Sequence, residues 1–397
     1  MDPVAARLTV SPACLALAGS LRDFDPKDAL ATSARLRRDG HEPALVAAAM
    51  SLAELRREAR PRLGDAADAM VFHRAGLEQA SRAVVSGLHA ERFAAAGCTA
   101  VADLTAGLGA DARAVAARGL GVVAFEADEA TAILAAHNLA AHNLAPWPAA
   151  RVVHGDSLAL LAEADVDGVF ADPARRNARG RRHDPADYSP ALDRVLDLAP
   201  RYRALGVKAG PGLPHEAVPP GFEAEWVSVD GDVVEVGLWA GAAAHGEGHA
   251  ALVIRGDRHH RIAGPTDRAD AGALGAYLLE PDGAVIRAGL VGVLAERLEA
   301  RLVDPQIAYL TCDAVPPATP FARAYRVIER LPLDVKVLAK ELRARDVGTV
   351  DIKKRGVDLT PEQLRPRLKL RGSGRATLVL TRLEGRHAAL LVEAVPA

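Results

Sequence analysis

The spacing of apolar positions changes along the chain, and each change marks a different kind of element. Up to about residue 95 the spacing is helical. In "DPKDALATSARLRRDG", Asp25 precedes Pro26, an N-cap with proline at the first helical position, and Gly40 is a stop signal. "EPALVAAAMSLAELRREAR" predicts a second amphipathic helix, ended by Pro61, and "GLEQASRAVVSGLHAERFAAAG" a third, ended by Gly97. From about Ala100, short Val-rich runs take over: "AVADL", "GVVAFE", "ARVVHGD", "DGVFADP" and "RALGVKAG". Helical stretches such as "EATAILAAHNLAAHN" lie between them. This alternation predicts βαβ units and a mostly parallel sheet. "EAEWVSVDGDVVEVGLWA" then alternates with period two about Asp230-Gly231-Asp232, a hairpin signal.

The remainder is more irregular. "ALVIR" predicts a strand, "RHHRIAGPTDRADAGA" a loop or domain joint, and "AYLLEPDGAVIRAG" a strand–turn–strand. A helix ("LVGVLAERLEARL"), a strand ("QIAYLT") and the Pro-rich connection "CDAVPPATP" follow. The tail predicts a helix, a strand, a helix and a hairpin turning at Glu384-Gly385, a small α/β domain of its own. The expected organisation is an N-terminal helical domain (1–95), a doubly wound, Rossmann-like α/β domain (96–255), a connecting α/β segment (256–320) and the small C-terminal domain (321–397). No internal repeat is evident.

Composition narrows this picture. Half of the 397 residues are apolar and only 4% aromatic, which fits a globular, helix-rich α/β protein. No uncharged apolar run is long enough to cross a membrane, and no signal-peptide pattern opens the chain. Cys14, Cys98 and Cys312 are isolated and odd in number, which argues against a disulfide framework and predicts a cytoplasmic location. Charge is uneven: from Phe321 onward there are 17 Lys and Arg against 9 Asp and Glu, although the whole chain carries −2. A basic tail on an acidic body suggests an anionic partner such as nucleic acid; a solvated charged surface is the alternative.

The strongest motif is "AVADLTAGLGAD". A strand ends at Asp103, a loop follows through Thr105, Gly107 and Gly109, and a helix begins near Asp111. The glycines admit a ligand close to the backbone, and the helix start offers free N–H groups. Glu126 follows at the end of the next strand, where a carboxylate can accept both hydroxyls of a ribose. Gly107, Gly109 and Ala112 also satisfy the dinucleotide fingerprint, so NAD and an oxidoreductase remain an alternative. Three features favour S-adenosylmethionine. Asp103 can hold the amino-acid moiety, Asp156 after the third strand suits an adenine amine, and Asp172-Pro173 ends the fourth.

This succession resembles class I S-adenosylmethionine-dependent methyltransferases, and the hairpin at 223–239 is similar to the antiparallel strands that end that fold. "FHRAGLEQASR", "DLTAGLGAD", "ADPARR", "VKAGPG", "PFARAYRV" and "IKKRGVD" together look like bacterial methyltransferases with a C-terminal THUMP-like domain. The resemblance runs from about Phe72 onward. It implies methylation with S-adenosylmethionine as cofactor, and it implies structured RNA, tRNA or rRNA included, as the partner.

Amino-methylating members of the fold carry Asp/Asn-Pro-Pro-aromatic after the fourth strand. Here Asp172 and Pro173, the expected catalytic pair, are followed by Ala174 and Arg175. That departure keeps open a second reading, an RNA-binding protein with a catalytically altered methyltransferase-like domain. Arg175 and Arg176, with Arg179, Arg181, Arg182 and His183, form a candidate phosphate grip. Lys208, at the end of the fifth strand, faces the same sheet edge and could contact a phosphate or act as a base. In the tail, Lys353, Lys354 and Arg355 are candidate RNA contacts, as are Arg365, Arg367, Lys369 and Arg371. His245, His249, His259 and His260 match no metal spacing, so no metal is expected. Gln79 and Ser81 precede the first strand, as cap, core or cofactor lining.

Overall fold

The computed structural model describes residues 1–79, 81–140, 150–175 and 188–396, and these divide into two compact units. The first comprises Met1–Ala209, Pro214–Phe222 and Leu238–Gly246. The second comprises Gly210–Leu213, Glu223–Gly237 and Glu247–Ala397.

The first unit opens with helices, as their periodicity requires. Asp2, Ser11 and Asp25 each cap a following Pro-started turn with a side-chain oxygen. Pro61 does not end its helix, which runs Pro43–Leu63 and stops at Gly64, whose φ is positive. So close to the C-terminus, a missing proline N–H removes one bond and leaves the chain helical for two more residues. The helix expected over 76–97 is two, Arg74–Gln79 and Ala83–Ala95.

Seven strands follow: β1 (Ala100–Asp103), β2 (Gly121–Glu126), β3 (Ala150–His154), β4 (Gly168–Ala171), β5 (Ala174–Arg175), β6 (Tyr188–Ser189) and β7 (Ala204–Ala209). β7, β4, β1, β2 and β3 lie side by side in that order, every pair parallel. The order reverses between β1 and β4, which opens a crevice at their C-terminal ends. β5 and β6 form a separate antiparallel ribbon. Helix Ala110–Ala116 packs on the sheet through Ala112, Val115 and Ala116.

A hairpin of β8 (Glu223–Val229) and β9 (Asp232–Gly241) follows, with positive φ at both Asp230 and Gly231, as a tight two-residue turn demands. β9 passes from one unit to the other in mid-strand. Its end, Leu238–Gly241, runs beside β7, where a Cβ on Gly206 would approach the Trp239 ring to 2.4 Å. Gly206→Ala is expected to destabilise by about 1–3 kcal/mol through overpacking. A urea titration of the full chain measures this, and an unchanged midpoint would contradict it.

In the second unit β10 (Gly248–Arg255) pairs parallel with β8 and antiparallel with β11 (Arg258–Gly264), so the expected loop after Arg255 is partly strand. Then come β12 (Tyr277–Pro281), β13 (Arg301–Asp304), β14 (Ile307–Cys312), β15 (Ala322–Pro332), β16 (Val347–Lys354), β17 (Gly374–Leu383) and β18 (Arg386–Ala394). They form one sheet in the order β13-β14-β12-β15-β18-β17-β16. The strands of 277–312 thus share a sheet with the tail. "GAVIR" is a helix, Gly283–Arg287, because Asp282 accepts from Ala284 N and caps it. Along β17, Leu378 and Leu380 join one core with Leu338, Leu342, Leu364 and Leu368 of two helices, while Val379 joins another with Tyr309 and Tyr325. Period-two alternation thus serves both faces. No described helix is long and apolar enough to cross a membrane.

Candidate active site

A cavity of about 710 Å³ opens in the first unit at the C-terminal ends of β1, β2 and β4. Its wall includes Thr105, Gly107, Glu126, Asp156, Asp172 and Tyr188. The sequence separates these residues by up to 83 positions; the parallel sheet brings them together by ending its strands on one edge.

The loop after β1 is built around two glycines. Gly107 and Gly109 have φ of +51° and +81°, a region that disfavours side chains. Gly107 N donates to Glu126 Oε2 at 2.9 Å, and Asp128 N to Oε1 at 2.9 Å. Glu126 therefore braces the loop while lining the cavity. Burial raises its pKa, against these backbone hydrogen bonds. Asp156 also lines the cavity, but its Oδ1 accepts from Leu158 N and Ala159 N, capping the short helix Ser157–Leu160.

Asp103 lies elsewhere. It is 3% exposed, and its Oδ1 accepts from Thr105 N at 3.0 Å. It braces the loop and is not among the residues that line the cavity. Burial, then the charge of Asp111, lift its carboxyl from 3.8 to about 8, with smaller contributions from Asp172 and Glu126 and opposition from Thr105 N–H. A carboxyl whose folded pKa is raised binds more protons folded than unfolded, so its contribution to stability falls as pH rises between the two values. Asp103→Asn keeps an oxygen for Thr105 and removes the titration. Between pH 5 and pH 8 the variant is expected to gain on wild type by about 4 kcal/mol. Urea titrations at both pH values measure this; parallel losses in the two proteins would refute it.

Asp172 sits one residue beyond β4. Its backbone N–H donates to Thr105 Oγ1 at 2.6 Å, tying it to the glycine loop. Its Oδ2 accepts from Lys208 Nζ at 2.6 Å. Lys208, near the end of β7, is thus turned onto the aspartate. Pro173 is buried, and the chain then enters the ribbon, where Arg175 pairs in register with Tyr188. Tyr188 and Arg194 line the cavity, and sequence reasoning missed both: no local signal ties positions more than ten residues downstream to Asp172. The Arg175 side chain, Arg176, Arg179, Arg181, Arg182 and His183 lie outside the described residues, as does the Gln79 side chain.

The donor set can be tested against its candidate ligands. Among the described residues, Asp111, Glu126, Asp156 and Asp172 line the cavity against one arginine, Arg194, and one histidine, His73. Four carboxylates suit a ligand that is cationic and rich in hydroxyl and amine donors, as S-adenosylmethionine is. They oppose the anionic pyrophosphate of a dinucleotide. The residues fit S-adenosylmethionine.

Lys353, Lys354 and Arg355 belong to the second unit. Lys353 Nζ lies 2.8 Å from Glu280 and 5.8 Å from the centre of the Tyr325 ring, and Arg355 sits 5.3 Å over Tyr309. Both are engaged within the sheet. Lys354 is exposed, as are Arg365, Arg367, Lys369 and Arg371.

Strand order, glycine loop and acidic strand ends define a class I methyltransferase. Comparison with known proteins names the family. The chain is 36% identical over 342 residues to uncharacterized S-adenosylmethionine-dependent methyltransferases of Mycobacterium tuberculosis strains CDC 1551 and H37Rv, covering 83% of this chain and 90% of each relative. It belongs to that family and is an S-adenosylmethionine-dependent methyltransferase. Residues 322–394 match the THUMP domain-like family and residues 6–59 a domain of unknown function. A crystal structure from Porphyromonas gingivalis W83, provisionally assigned as a methyltransferase, shares the fold. Its TM-score is 0.72 at 24% identity, over 93% of this chain and 98% of that one.

Proposed function

We propose that the chain transfers the methyl group of S-adenosylmethionine to a nucleotide of structured RNA. The observation that carries this is that one cavity gathers Gly107, Glu126 and Asp156 together with Asp172 and Tyr188. Glu126 would accept the ribose hydroxyls of the donor and Asp156 its adenine amine. Thr105 and Asp103 keep the loop in place. The bound cofactor supplies an electrophilic methyl group, and catalysis of such a transfer is chiefly positioning. Asp172 accepts the N–H or O–H of the acceptor atom and orients it. Tyr188 supplies a planar surface for a base, across the ribbon from the position where amino-methylating enzymes carry their aromatic.

RNA is favoured as acceptor by the THUMP domain-like match over 322–394 and by the exposed cations Lys354, Arg365, Arg367, Lys369 and Arg371 of the same unit. Cations without exposed aromatics suit phosphates of folded RNA. Arg175 and Arg176 are the candidate phosphate contacts next to Asp172. The test is transfer of labelled methyl from S-adenosylmethionine to RNA, DNA and protein fractions of a bacterial lysate. Label in RNA, removed by ribonuclease, is expected. Label confined to DNA or protein overturns the reading.

A further inference from the structure

Behind Asp172 runs a string of polar side chains that the reaction does not obviously need. Lys208 Nζ donates to Asp172 Oδ2 at 2.6 Å and to Ser81 Oγ at 3.0 Å. Ser81 Oγ donates to Asp111 Oδ2 at 2.9 Å, and Asp111 Oδ1 meets His89 Nδ1 at 2.8 Å. The side chains of Asp111 and His89 are 10% and 4% exposed. The His89 ring rests against Phe170 and Trp239, with centroids 5.0 and 5.7 Å away. Phe170 lies two residues before Asp172 in the chain. Residues 81–89, 111, 170–172, 208 and 239 therefore meet around one lysine and one aspartate.

Buried polar groups are costly unless satisfied, and a string of this length in an otherwise Ala- and Val-rich core calls for a reason. Burial opposes the Asp111 charge, yet hydrogen bonding and charge from His89, then Lys208 and Ser81, hold its carboxyl at about 2. Asp111 is thus a fixed anion one serine away from the Lys208 ammonium. A lysine that donates to Asp172 and to Ser81 is placed as a counter-ion and not as a base, which must offer a lone pair.

We propose that Ser81, Asp111 and His89 are positioning residues that hold the Lys208 ammonium on Asp172, fixing the orientation of the acceptor-side carboxylate. The proposal rests on the reading of Asp172 as the group that orients the acceptor. It assigns Lys208 to the protein's own aspartate in place of a substrate phosphate.

The test is the rate at which N-hydroxysulfosuccinimide acetate acylates each lysine of the full chain at fixed pH, read by peptide mass spectrometry. Lys354, exposed on the second unit, is the internal standard, and a cooperative urea transition of the full chain is the folding control. In wild type, Lys208 is expected to react about tenfold more slowly than Lys354 or slower still. Ser81→Ala and Asp111→Asn should raise the Lys208 to Lys354 ratio several-fold in variants that still unfold cooperatively in urea. Ser81→Thr, which keeps the hydroxyl, should restore the wild-type ratio. A wild-type Lys208 as reactive as Lys354 overturns the proposal, as does a ratio indifferent to Ser81→Ala. Should one variant fail to fold, the wild-type rates and the other variant still decide. Absence of methyl transfer to RNA would overturn the proposed function without altering these ratios, so the two failures are distinguishable.

Discussion

Glu126→Ala is expected to weaken binding of S-adenosylmethionine about 100-fold. Two effects combine. On the proposed function the carboxylate accepts two ribose hydroxyls, and a hydrogen bond to a charged group contributes about 1.5–3 kcal/mol, so the pair exceeds the roughly 2.7 kcal/mol that 100-fold requires. The same carboxylate holds Gly107 N and Asp128 N, so its removal also loosens the loop that forms the rest of the wall. Glu126→Gln keeps one accepting oxygen and should fall between. Calorimetric titration with S-adenosylmethionine measures all three proteins. An alanine variant within about threefold of wild type would show that the donor lies elsewhere.

Asp172→Asn is expected to lower the rate of methyl transfer to RNA by about 100- to 1000-fold, the usual cost of removing a preorganised polar group at the reacting centre. Asparagine matches the shape and keeps the backbone N–H that Thr105 Oγ1 accepts. It loses the charge that pairs with Lys208 and can accept the acceptor's proton. Donor affinity should change far less than rate, because Glu126 and Asp156 remain. Rate of labelled transfer, with calorimetric affinity measured beside it, separates the two effects. Transfer within about tenfold of wild type would mean that Asp172 does not orient the acceptor.

Much of the catalytic unit was legible in the chain because its signals are local. Val-rich runs ending in Asp103, Glu126, His154-Gly155-Asp156 and Asp172 mark strands and their ends, and two glycines mark the loop. The Asp230-Gly231 turn dictated the hairpin. Elsewhere local signals misled. "GAVIR" has β-branched residues yet forms a helix, because Asp282 caps it and the preceding strand ends at Pro281. β15 went unrecognised because Arg, Glu and Pro interrupt its apolar alternation; its pairing with both β12 and β18 forms it.

By itself the sequence determined the order of strands and helices, the glycine loop and the acidic strand ends, since each depends on spacing along a few residues. Only the tertiary structure decided what those side chains meet. It buried Asp103 against Thr105 N, outside the cavity lining, brought Tyr188 opposite Arg175, and engaged Lys353 with Glu280 and Lys208 with Asp172. The His89–Asp111 pair, 22 residues apart, and the Lys208–Ser81 contact, 127 apart, could not be read from the chain. Such contacts arise where strand ends and helix faces converge, and that convergence is set by the packing of the whole sheet and not by any local stretch of sequence.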